Sequence, residues 1–191
     1  MKLYSSLGPN PRLVRMFLVE KDIDVDRIHF DIITGENRSD TDYAKKNVMG
    51  TTPTLETDDG TLITESTVIC EYLDVLSNNA KMIAAKDRIS ILRLHALGQG
   101  LTDAALNLRQ NIMRGDGEGA NPLPEDWYVE RQYSAIAAGM DEAENLLDDF
   151  KGQINVGTIA LACFLEYWNF RFADHVWRDD YPGLASWLDD F

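Results

Sequence analysis

The most constraining feature of this sequence is a change of pattern close to residue 78. Before it, segments with the two-residue alternation of strands take turns with segments of helical spacing, which is the pattern of an α/β fold. After it, every apolar segment has helical spacing. The polar break at 77–80 therefore predicts an α/β domain over residues 1–77, a linker at 78–80 and an all-helical domain over 81–191.

The first domain is predicted to contain a mixed sheet of four strands. A strand, a helix and a second strand in succession form a parallel unit, while Asp58-Asp59-Gly60 is a good hairpin turn between two later strands. Ser66 is the predicted cap of the last helix, with Thr64 as the alternative. The predicted elements are strands at 2–5, 25–33, 52–57 and 61–63, and helices around 13–18, 40–46 and 66–76.

The second domain is predicted to consist of helices only. One of them, over 156–172, is apolar nearly all round, so we expect it to be the buried centre of the domain. Pro182 suits the first position of the last helix. The predicted helical segments are 81–113, 125–150, 156–172 and 182–190, with a flexible loop at 115–124.

The charge of the chain excludes some partners. Its 191 residues include 18 Lys and Arg against 32 Asp and Glu, a net charge of −14 that is spread over both halves. Such a surface repels phosphate backbones, so we do not expect nucleic-acid binding. No stretch approaches the roughly 18 apolar residues of a membrane span, and the N-terminus lacks a signal-peptide pattern. We therefore expect a cytoplasmic protein with no membrane partner.

The two cysteines do not predict a chemical role. Cys70 and Cys163 lie far apart, each in an apolar segment with helical spacing. Two distant cysteines form neither a metal knuckle nor a disulfide framework. Both are predicted to be buried free thiols, and no metal site is expected.

Pro53 stands where the third strand is predicted to begin. A proline there gives up one ladder hydrogen bond, so it belongs at a sheet edge or in a special turn. With a cis Thr52–Pro53 bond, the backbone of Thr52 would turn outward and could pair with an extended peptide, as in strand addition. The alternative is an ordinary trans proline at a strand start.

Two further segments have groups that suit a charged ligand. Glu65-Ser66 opens a helix whose free N–H groups suit a carboxylate, while the Glu65 side chain can pair with an ammonium group. In the loop after the first strand, Asn10 can donate an amide N–H, and Ser5 or Ser6 a hydroxyl, to an anion such as a thiolate. A plain helix cap and a turn with an Asn cap are the alternatives.

Taken in this order, the segments resemble the glutathione transferase family. Asn47-Val48-Met49-Gly50-Thr51-Thr52-Pro53-Thr54-Leu55 is similar to the family's Asn-Pro-x-Gly-x-Val-Pro-x-Leu segment, and Glu65-Ser66 matches its Glu/Asp-Ser motif. Pro9-Asn10 is similar to the first-helix loop of the bacterial Nu-like class. The resemblance covers essentially the whole chain and implies a thioredoxin-like first domain. It also implies that the helical domain forms the acceptor-substrate side.

The resemblance implies a glutathione site. Thr52, before a cis proline, would pair with the cysteinyl part, Glu65-Ser66 would hold the γ-glutamyl group, and Arg38 with Asn37 would contact the glycine carboxylate. The implied binding residues are Thr51, Thr52, Pro53, Glu65, Ser66, Arg38 and Asn37.

The thiol-activating group differs from that of better-known classes. Pro9 falls at the place of the theta-like serine and Asn10 at that of the beta-like cysteine. The resemblance therefore implies that Asn10, helped by Ser5 or Ser6, stabilises the thiolate of glutathione.

The implied activity is transfer of glutathione to a small hydrophobic electrophile, or reduction of a disulfide or peroxide, in a homodimer. The electrophile is expected between the domains, against Leu7 and parts of the 81–113 helix. One alternative is a non-catalytic glutathione-binding or protein-interaction module on the same fold. A zeta-like isomerase is a weaker alternative, because Ser5-Ser6 lies too early in the loop and no cysteine follows it.

One departure from the family concerns the helix that starts at Val156. The usual Ser/Thr-x-x-Asp cap is replaced by Asn155-Val156-Gly157-Thr158. Asn155 can still cap the helix, but Thr158 has no carboxylate. Some loss of local stability is therefore expected.

Overall fold

The structure, a computed structural model, describes residues 1–29, 43–77, 79, 81–115 and 126–191. It divides into two units, Met1–Arg88 and Ile89–Phe191. The first is α/β and the second is helical, so the predicted fold class is confirmed. The predicted linker precedes this division, and two of its three residues, 78 and 80, lie outside the described part.

One mixed sheet forms the centre of the first unit. Its described strands are β1 (Lys2–Ser5), β2 (Asp26–His29), β3 (Thr54–Glu56) and β4 (Leu62–Thr64), in the order β2-β1-β3-β4. β1 is parallel to β2 and antiparallel to β3, with Leu3 opposite Leu55. β3 is antiparallel to β4 across the predicted hairpin turn, where Gly60 has a φ of 85°, a conformation that favours glycine.

Two helices bury apolar faces in this unit. They are α1 (Pro9–Glu20) and α2 (Ser66–Leu76), which pack against each other. Full burial of such side chains contributes about 1.5–3 kcal/mol each. Cys70 is buried and is not part of a disulfide, as predicted. The core side chains of the two helices, each at most 2% exposed, are Leu13, Val14, Phe17, Leu18, Ile69, Cys70 and Leu73.

A buried ion pair ties the C-terminal ends of α1 and α2 together. The Lys21 side chain is fully buried, and its Nζ lies 3.0 Å from Asp74 Oδ1. The Asp74 carboxylate also accepts hydrogen bonds from the backbone N–H groups of Met82, at 2.9 Å, and Ile83, at 3.2 Å. Because both charges are out of water, each depends on its partners for solvation.

The second unit is organised around one buried helix. After a 3₁₀ turn at Ala85–Asp87, the helices are α3 (Arg88–Gly115), α4 (Asp126–Asn145), α5 (Leu147–Phe150), α6 (Val156–Arg171) and α7 (Pro182–Asp190). The first ten residues of α6 are all buried, which confirms that it is the centre of the unit. Cys163, within α6, is also buried and not part of a disulfide.

A glycine allows α3 and α6 to approach closely. A Cβ on Gly98 would lie 2.8 Å from the backbone nitrogen of Leu161 and 2.9 Å from the carbonyl carbon of Ala160. Real Cβ atoms essentially never come so close to backbone, so any side chain at this position would push the two helices apart.

Two side chains form a reciprocal cap at the start of α6. Asn155 Oδ1 accepts from the backbone N–H groups of Gly157 and Thr158, at 2.9 and 3.1 Å. Thr158 Oγ1 accepts from Asn155 N at 2.9 Å and donates to Asn155 O at 3.0 Å. The Thr158 hydroxyl therefore makes the reciprocal bond of a capping box without a carboxylate. The expected loss of local stability stays a prediction.

Other predicted elements lie partly outside the described residues. β2 is described as far as His29, while the predicted strand extended to Ile33. Residues 43–46 form a turn, whereas part of a short helix was predicted there. α3 continues to Gly115, and the predicted loop beyond it lies outside the described part.

Candidate functional site

Three predicted site segments leave the same end of the sheet. Tyr4 pairs with Thr54, and Thr54 pairs with Thr64. Because β3 runs antiparallel to both neighbours, the residues that follow Tyr4, precede Thr54 and follow Thr64 emerge at the same end of the three strands. We call this end of the sheet the sheet-end site. Its segments are Ser5-Ser6, Thr52-Pro53 and Glu65-Ser66.

The Thr52–Pro53 peptide bond is cis, and β3 begins at the next residue, Thr54. Two buried side chains hold the carbonyl of Thr51: Tyr43 Oη and Asn47 Nδ2 each donate to it at 2.7 Å. The same atoms contact Thr54 Oγ1, at 2.8 and 3.2 Å. The same two side chains thus hold Thr51 by its backbone carbonyl and Thr54 by its side chain, on either side of Thr52–Pro53.

Asn47 also shapes the turn that leads to this segment. Its Oδ1 accepts from Met49 N at 3.0 Å, and its carbonyl accepts from Gly50 N at 2.8 Å. Gly50 has a φ of 63°, which explains the glycine in the motif. Asn47 is only 3% exposed, so its bonds are made where an unsatisfied polar group costs about 1–3 kcal/mol.

Tyr43 is a site residue that sequence reasoning missed. Burial raises the pKa of its phenol, and hydrogen bonds with Thr54 and Asn47 partly oppose this. The hydroxyl therefore remains a neutral donor to the Thr51 carbonyl at physiological pH. No spacing or motif in the sequence marks this tyrosine, whereas Asn47 was at least part of the family-like segment.

A partly exposed cluster of polar side chains connects the turn at residues 43–46 to the sheet. Lys46 Nζ lies 2.9 Å from Glu56 Oε2, and Tyr4 Oη donates to the same oxygen. The hydrogen bond from Tyr4, followed by that from Lys46, lowers the pKa of the Glu56 carboxyl. The bond to Glu56 in turn raises the pKa of Lys46. Residues 43–46 are thus connected to both β1 and β3.

The two candidate serines have different surroundings. Ser6 is half-buried, and its Oγ lies 2.8 Å from Thr52 Oγ1. Ser5 is 3% exposed, and its Oγ accepts from Arg15 Nη1 at 2.6 Å. Arg15, which sequence reasoning also missed, donates at 2.6 Å to the carbonyl of Ser6. Ser6 thus reaches the residue before the cis proline, while Ser5 and Arg15 support the loop.

Asn10 is the second residue of α1 and is half-buried. The helix cap is Gly8, with no side-chain bond, so the alternative that Asn10 caps the helix is wrong. Pro9 and Pro11 have no backbone N–H, and that of Arg12 donates to Gly8 O at 3.1 Å. Among the first three residues of α1, Asn10 therefore provides the sole backbone N–H for an anion.

Glu65 has an uncommon backbone conformation, with φ 74° and ψ 131°. A non-glycine residue there costs about 1–3 kcal/mol, and such strain is concentrated at ligand sites. Its exposed carboxylate is oriented by two bonds, from Thr67 N and from Ser66 Oγ, each at 2.9 Å. Glu65, and not Ser66, is thus the cap of α2, because Ser66 is the first helical residue and is 1% exposed.

Arg38 and Asn37, predicted for the glycine carboxylate, lie outside the described residues. Within the described part, no helix is long and apolar enough to cross a membrane.

Two parts of the chain match the two domains of one protein family. Residues 8–76 match the glutathione S-transferase N-terminal domain, and residues 125–190 match the glutathione S-transferase C-terminal domain.

Individual proteins are also similar to the chain. The GST-like protein YibF of Escherichia coli is 30% identical over 197 residues, which cover 100% of this chain and 93% of YibF. Glutathione S-transferase 2 of Saccharomyces cerevisiae is 44% identical over 71 residues, covering 36% of this chain and 30% of the yeast protein. A crystal structure of a glutathione S-transferase from Methylobacillus flagellatus with glutathione bound has a TM-score of 0.85 at 29% identity, covering 99% and 93% of the two chains.

Proposed function

Because the chain belongs to the glutathione S-transferase family, we propose that it binds glutathione at the sheet-end site and uses the thiolate of that ligand in catalysis. The backbone of Thr52 pairs with the cysteinyl residue, with Thr51 and Pro53 on either side. The Glu65 carboxylate binds the ammonium of the γ-glutamyl group, and the start of α2 at Ser66 binds its carboxylate. Arg38 contacts the glycine carboxylate.

The observation that carries this proposal is the common origin of the three segments at one sheet end. The pairing of Tyr4 with Thr54 and of Thr54 with Thr64 supports it. An extended ligand that lies across this end of the sheet meets the Thr52 backbone and then the Glu65 cap. The oriented carboxylate of Glu65 and the start of α2 supply opposite charges, as the amino-acid end of glutathione requires.

Asn10 and Ser6 stabilise the thiolate. The Asn10 backbone and side-chain amides are donors at the start of α1, and Ser6 Oγ is within hydrogen-bonding distance of the Thr52 side chain. Ser5 is less suited to a direct role, because its buried hydroxyl is engaged by Arg15. Donors of this kind lower the pKa of a thiol and increase its reactive fraction at neutral pH.

The thiolate then attacks an electrophile. With a carbon electrophile, a sulfur–carbon bond forms and the leaving group departs with its electron pair. With a disulfide, the thiolate attacks one sulfur, the sulfur–sulfur bond breaks, the other sulfur leaves as a thiolate and a mixed disulfide forms. A second glutathione thiolate then attacks the glutathione sulfur of the mixed disulfide, which releases oxidised glutathione and the second substrate thiolate. Leu7, in the Ser6 loop, is 75% exposed and offers an apolar contact to a hydrophobic acceptor.

Calorimetric titration with reduced glutathione tests the binding step. We expect saturable binding that Ser66→Ala weakens about tenfold, because the lost hydroxyl leaves the Glu65 carboxylate less well oriented. Ser134→Ala, an exposed position on α4, is the matched control and should bind as the parent protein does. Absence of binding at millimolar glutathione would contradict the proposal.

Turnover distinguishes an enzyme from a non-catalytic binding module. A chloronitroarene, a small disulfide and an organic hydroperoxide separate conjugation from the two reductions. Asn10→Ala should lower turnover sharply with a modest loss of glutathione affinity, and Ser6→Ala should have a larger effect than Ser5→Val at equal stability. Glutathione binding without turnover on any of the three acceptors would favour the binding module.

The first unit also has features that favour a homodimer. Val68 and Val75 are exposed on one face of α2, and Val48 and Met49, in the turn before Thr52, are 90% and 75% exposed. Sedimentation velocity should give a dimer for the parent protein and a larger monomer fraction for Met49→Asp. A parent protein that stays monomeric at micromolar concentration would rule this assembly out.

A further inference from the structure

The helical unit contains a cavity that the sheet-end site does not use. Its volume is about 300 Å³, at the small end of the range of roughly 300–1,000 Å³ that is typical of ligand pockets. α4, α6 and the segment between α6 and α7 form its walls. The residues that decide its chemistry are Tyr133, Trp168, His175, Trp177, Asp180 and Tyr181.

Neighbouring contacts fix the aromatic rings of this cavity. Trp168 stacks on Phe172 with ring centroids 4.3 Å apart, and Trp177 Nε1 donates to Asn169 Oδ1 at 2.7 Å. Tyr133 is held beside the His175 ring, at 5.2 Å between centroids. The walls are therefore already rigid, which reduces the entropy cost of binding.

The side chain of Tyr181, which also lines the cavity, is held by its hydroxyl. Tyr181 Oη donates to Asp141 Oδ1 at 3.0 Å. Burial, with a further effect of the Asp141 bond, raises the pKa of Tyr181 to about 12. The phenol is therefore neutral at physiological pH, and Tyr181 adds no charge to the cavity lining.

The charges around the cavity favour a cation. Asp180 lines it and is exposed, whereas none of its lining residues, all of which are described, is Lys or Arg. The neighbouring Arg178 is engaged by Asp189, at 2.9 and 3.1 Å, and already lies over the Trp177 ring, 5.3 Å from its centroid. The net charge of −14 also attracts cations and repels anions.

We propose that this cavity is a second ligand site, which binds a small quaternary or alkyl ammonium compound between the aromatic rings, with Asp180 as its counter-ion. The faces of Trp and Tyr rings attract a cation electrostatically, most strongly where water is excluded. An anionic ligand would meet Asp180 and would lack a basic side chain other than His175. The site shares no residue with the sheet-end site, so this proposal does not rest on glutathione binding.

The probes that test this site are choline and 3,3-dimethyl-1-butanol, which have the same shape but differ in charge. The indole N–H signals of the four tryptophans in a two-dimensional NMR spectrum, assigned by single Trp→Phe variants, report where each probe binds. We expect choline to shift the signals of Trp168 and Trp177, but not those of Trp127 and Trp187, which do not line the cavity. Choline should bind at least about fivefold more tightly than the neutral alcohol.

Two pairs of variants separate the counter-ion and the rings from general effects. Asp180→Asn should weaken choline binding several-fold, whereas Asp179→Asn, an exposed neighbour that does not line the cavity, should change it less than twofold. Tyr133→Phe should retain most of the affinity, because the ring remains, and Tyr133→Leu should lose it. All four are compared at one ionic strength.

Each other outcome overturns the proposal. Equal binding of the two probes would mean that the cavity takes neutral apolar molecules, and no binding of either would mean that it is not a ligand site. Equal losses in Asp180→Asn and Asp179→Asn would mean that choline responds only to the overall charge of the protein.

Discussion

The two units of this protein hold their candidate ligand sites by different means. In the first unit, hydrogen bonds to backbone atoms fix the site: Tyr43 and Asn47 hold the Thr51 carbonyl, and Glu65 caps α2. In the helical unit, ring packing contributes as well: Trp168 stacks on Phe172 at one end of the buried helix α6, and side-chain hydrogen bonds hold the rings of Trp177 and Tyr181. Polar changes should therefore act mainly on ligand affinity in the first unit, and apolar truncations mainly on stability in the second.

The largest expected effect comes from the centre of the helical unit. Phe164 on α6 is fully buried, so Phe164→Ala should destabilise the protein by about 3–5 kcal/mol. Phe170, on the same helix, is 71% exposed, and Phe170→Ala should stay within about 0.5 kcal/mol. Urea unfolding followed by circular dichroism measures both. Similar losses for the two variants would mean that α6 is not the apolar centre of its unit.

A substitution in the first unit should have an effect of similar size and goes against the comparison of the two units, because the first unit also contains a buried ion pair. Asp74→Ala removes the buried carboxylate that pairs with Lys21 and that accepts from Met82 N and Ile83 N. We expect a loss of about 3–5 kcal/mol. Here a polar change in the first unit acts on stability, because this ion pair lies at the ends of α1 and α2 and not at the sheet-end site.

An exposed ion pair between Glu71 on α2 and Arg88 at the start of α3 is the control for Asp74→Ala. Arg88 Nη2 lies 2.6 Å from Glu71 Oε1, and the side chains of Glu71 and Arg88 are 45% and 44% exposed. Glu71→Ala should cost at most about 1 kcal/mol, because water already solvates both charges. Equal effects of the two substitutions in urea unfolding would show that burial of the Lys21–Asp74 pair has little energetic consequence.

An intermediate effect is expected at Asn47, and it sharpens the comparison. Asn47→Ala removes the amide that holds Thr51 and the acceptor for Met49 N, at a cost of about 1–3 kcal/mol. Because the Thr52 backbone loses support, the affinity of the folded variant for glutathione should also fall. Calorimetric titration at a temperature where the variant is folded measures this affinity. Full retention of binding would mean that the turn needs no such support.

Tyr43→Phe is the milder companion of that variant. It removes one of the two donors to the Thr51 carbonyl and keeps the ring, so about 1 kcal/mol and a smaller loss of affinity are expected. Tyr72→Phe, on α2, is its control. Equal effects of the two would argue against a special role of the Tyr43 hydroxyl.

Regular elements with strong periodicity were predictable from the sequence, and side-chain support of the site was not. The apolar pattern of α6 and the turn Asp58-Asp59-Gly60 gave correct elements because local spacing and turn chemistry dictate them. Tyr43 and Arg15 escaped notice because their partners, Thr51 and Ser6, are set by tertiary structure.

The caps show the same limit at a finer scale. Ser66 was predicted to cap α2 because serine is a good cap, yet Glu65 takes that place with a positive φ that no sequence pattern reveals. At α6, the sequence identified Asn155 correctly but did not reveal that the Thr158 hydroxyl could replace a carboxylate, which depends on side-chain rotation.

A small effect is also expected at that polar start of the apolar helix, where hydrogen bonds and apolar packing both contribute. Thr158→Ala removes the acceptor for Asn155 N and leaves the Asn155 side-chain bonds in place, so about 0.5–2 kcal/mol should be lost. Thr158→Ser keeps the hydroxyl and should recover part of this loss. Because Thr158 is fully buried, urea unfolding of the Ser variant also measures what the lost methyl group contributes. If Ser and Ala lose the same amount, packing and not the hydrogen bond determines the role of Thr158, and apolar contacts then dominate the helical unit even at its polar cap.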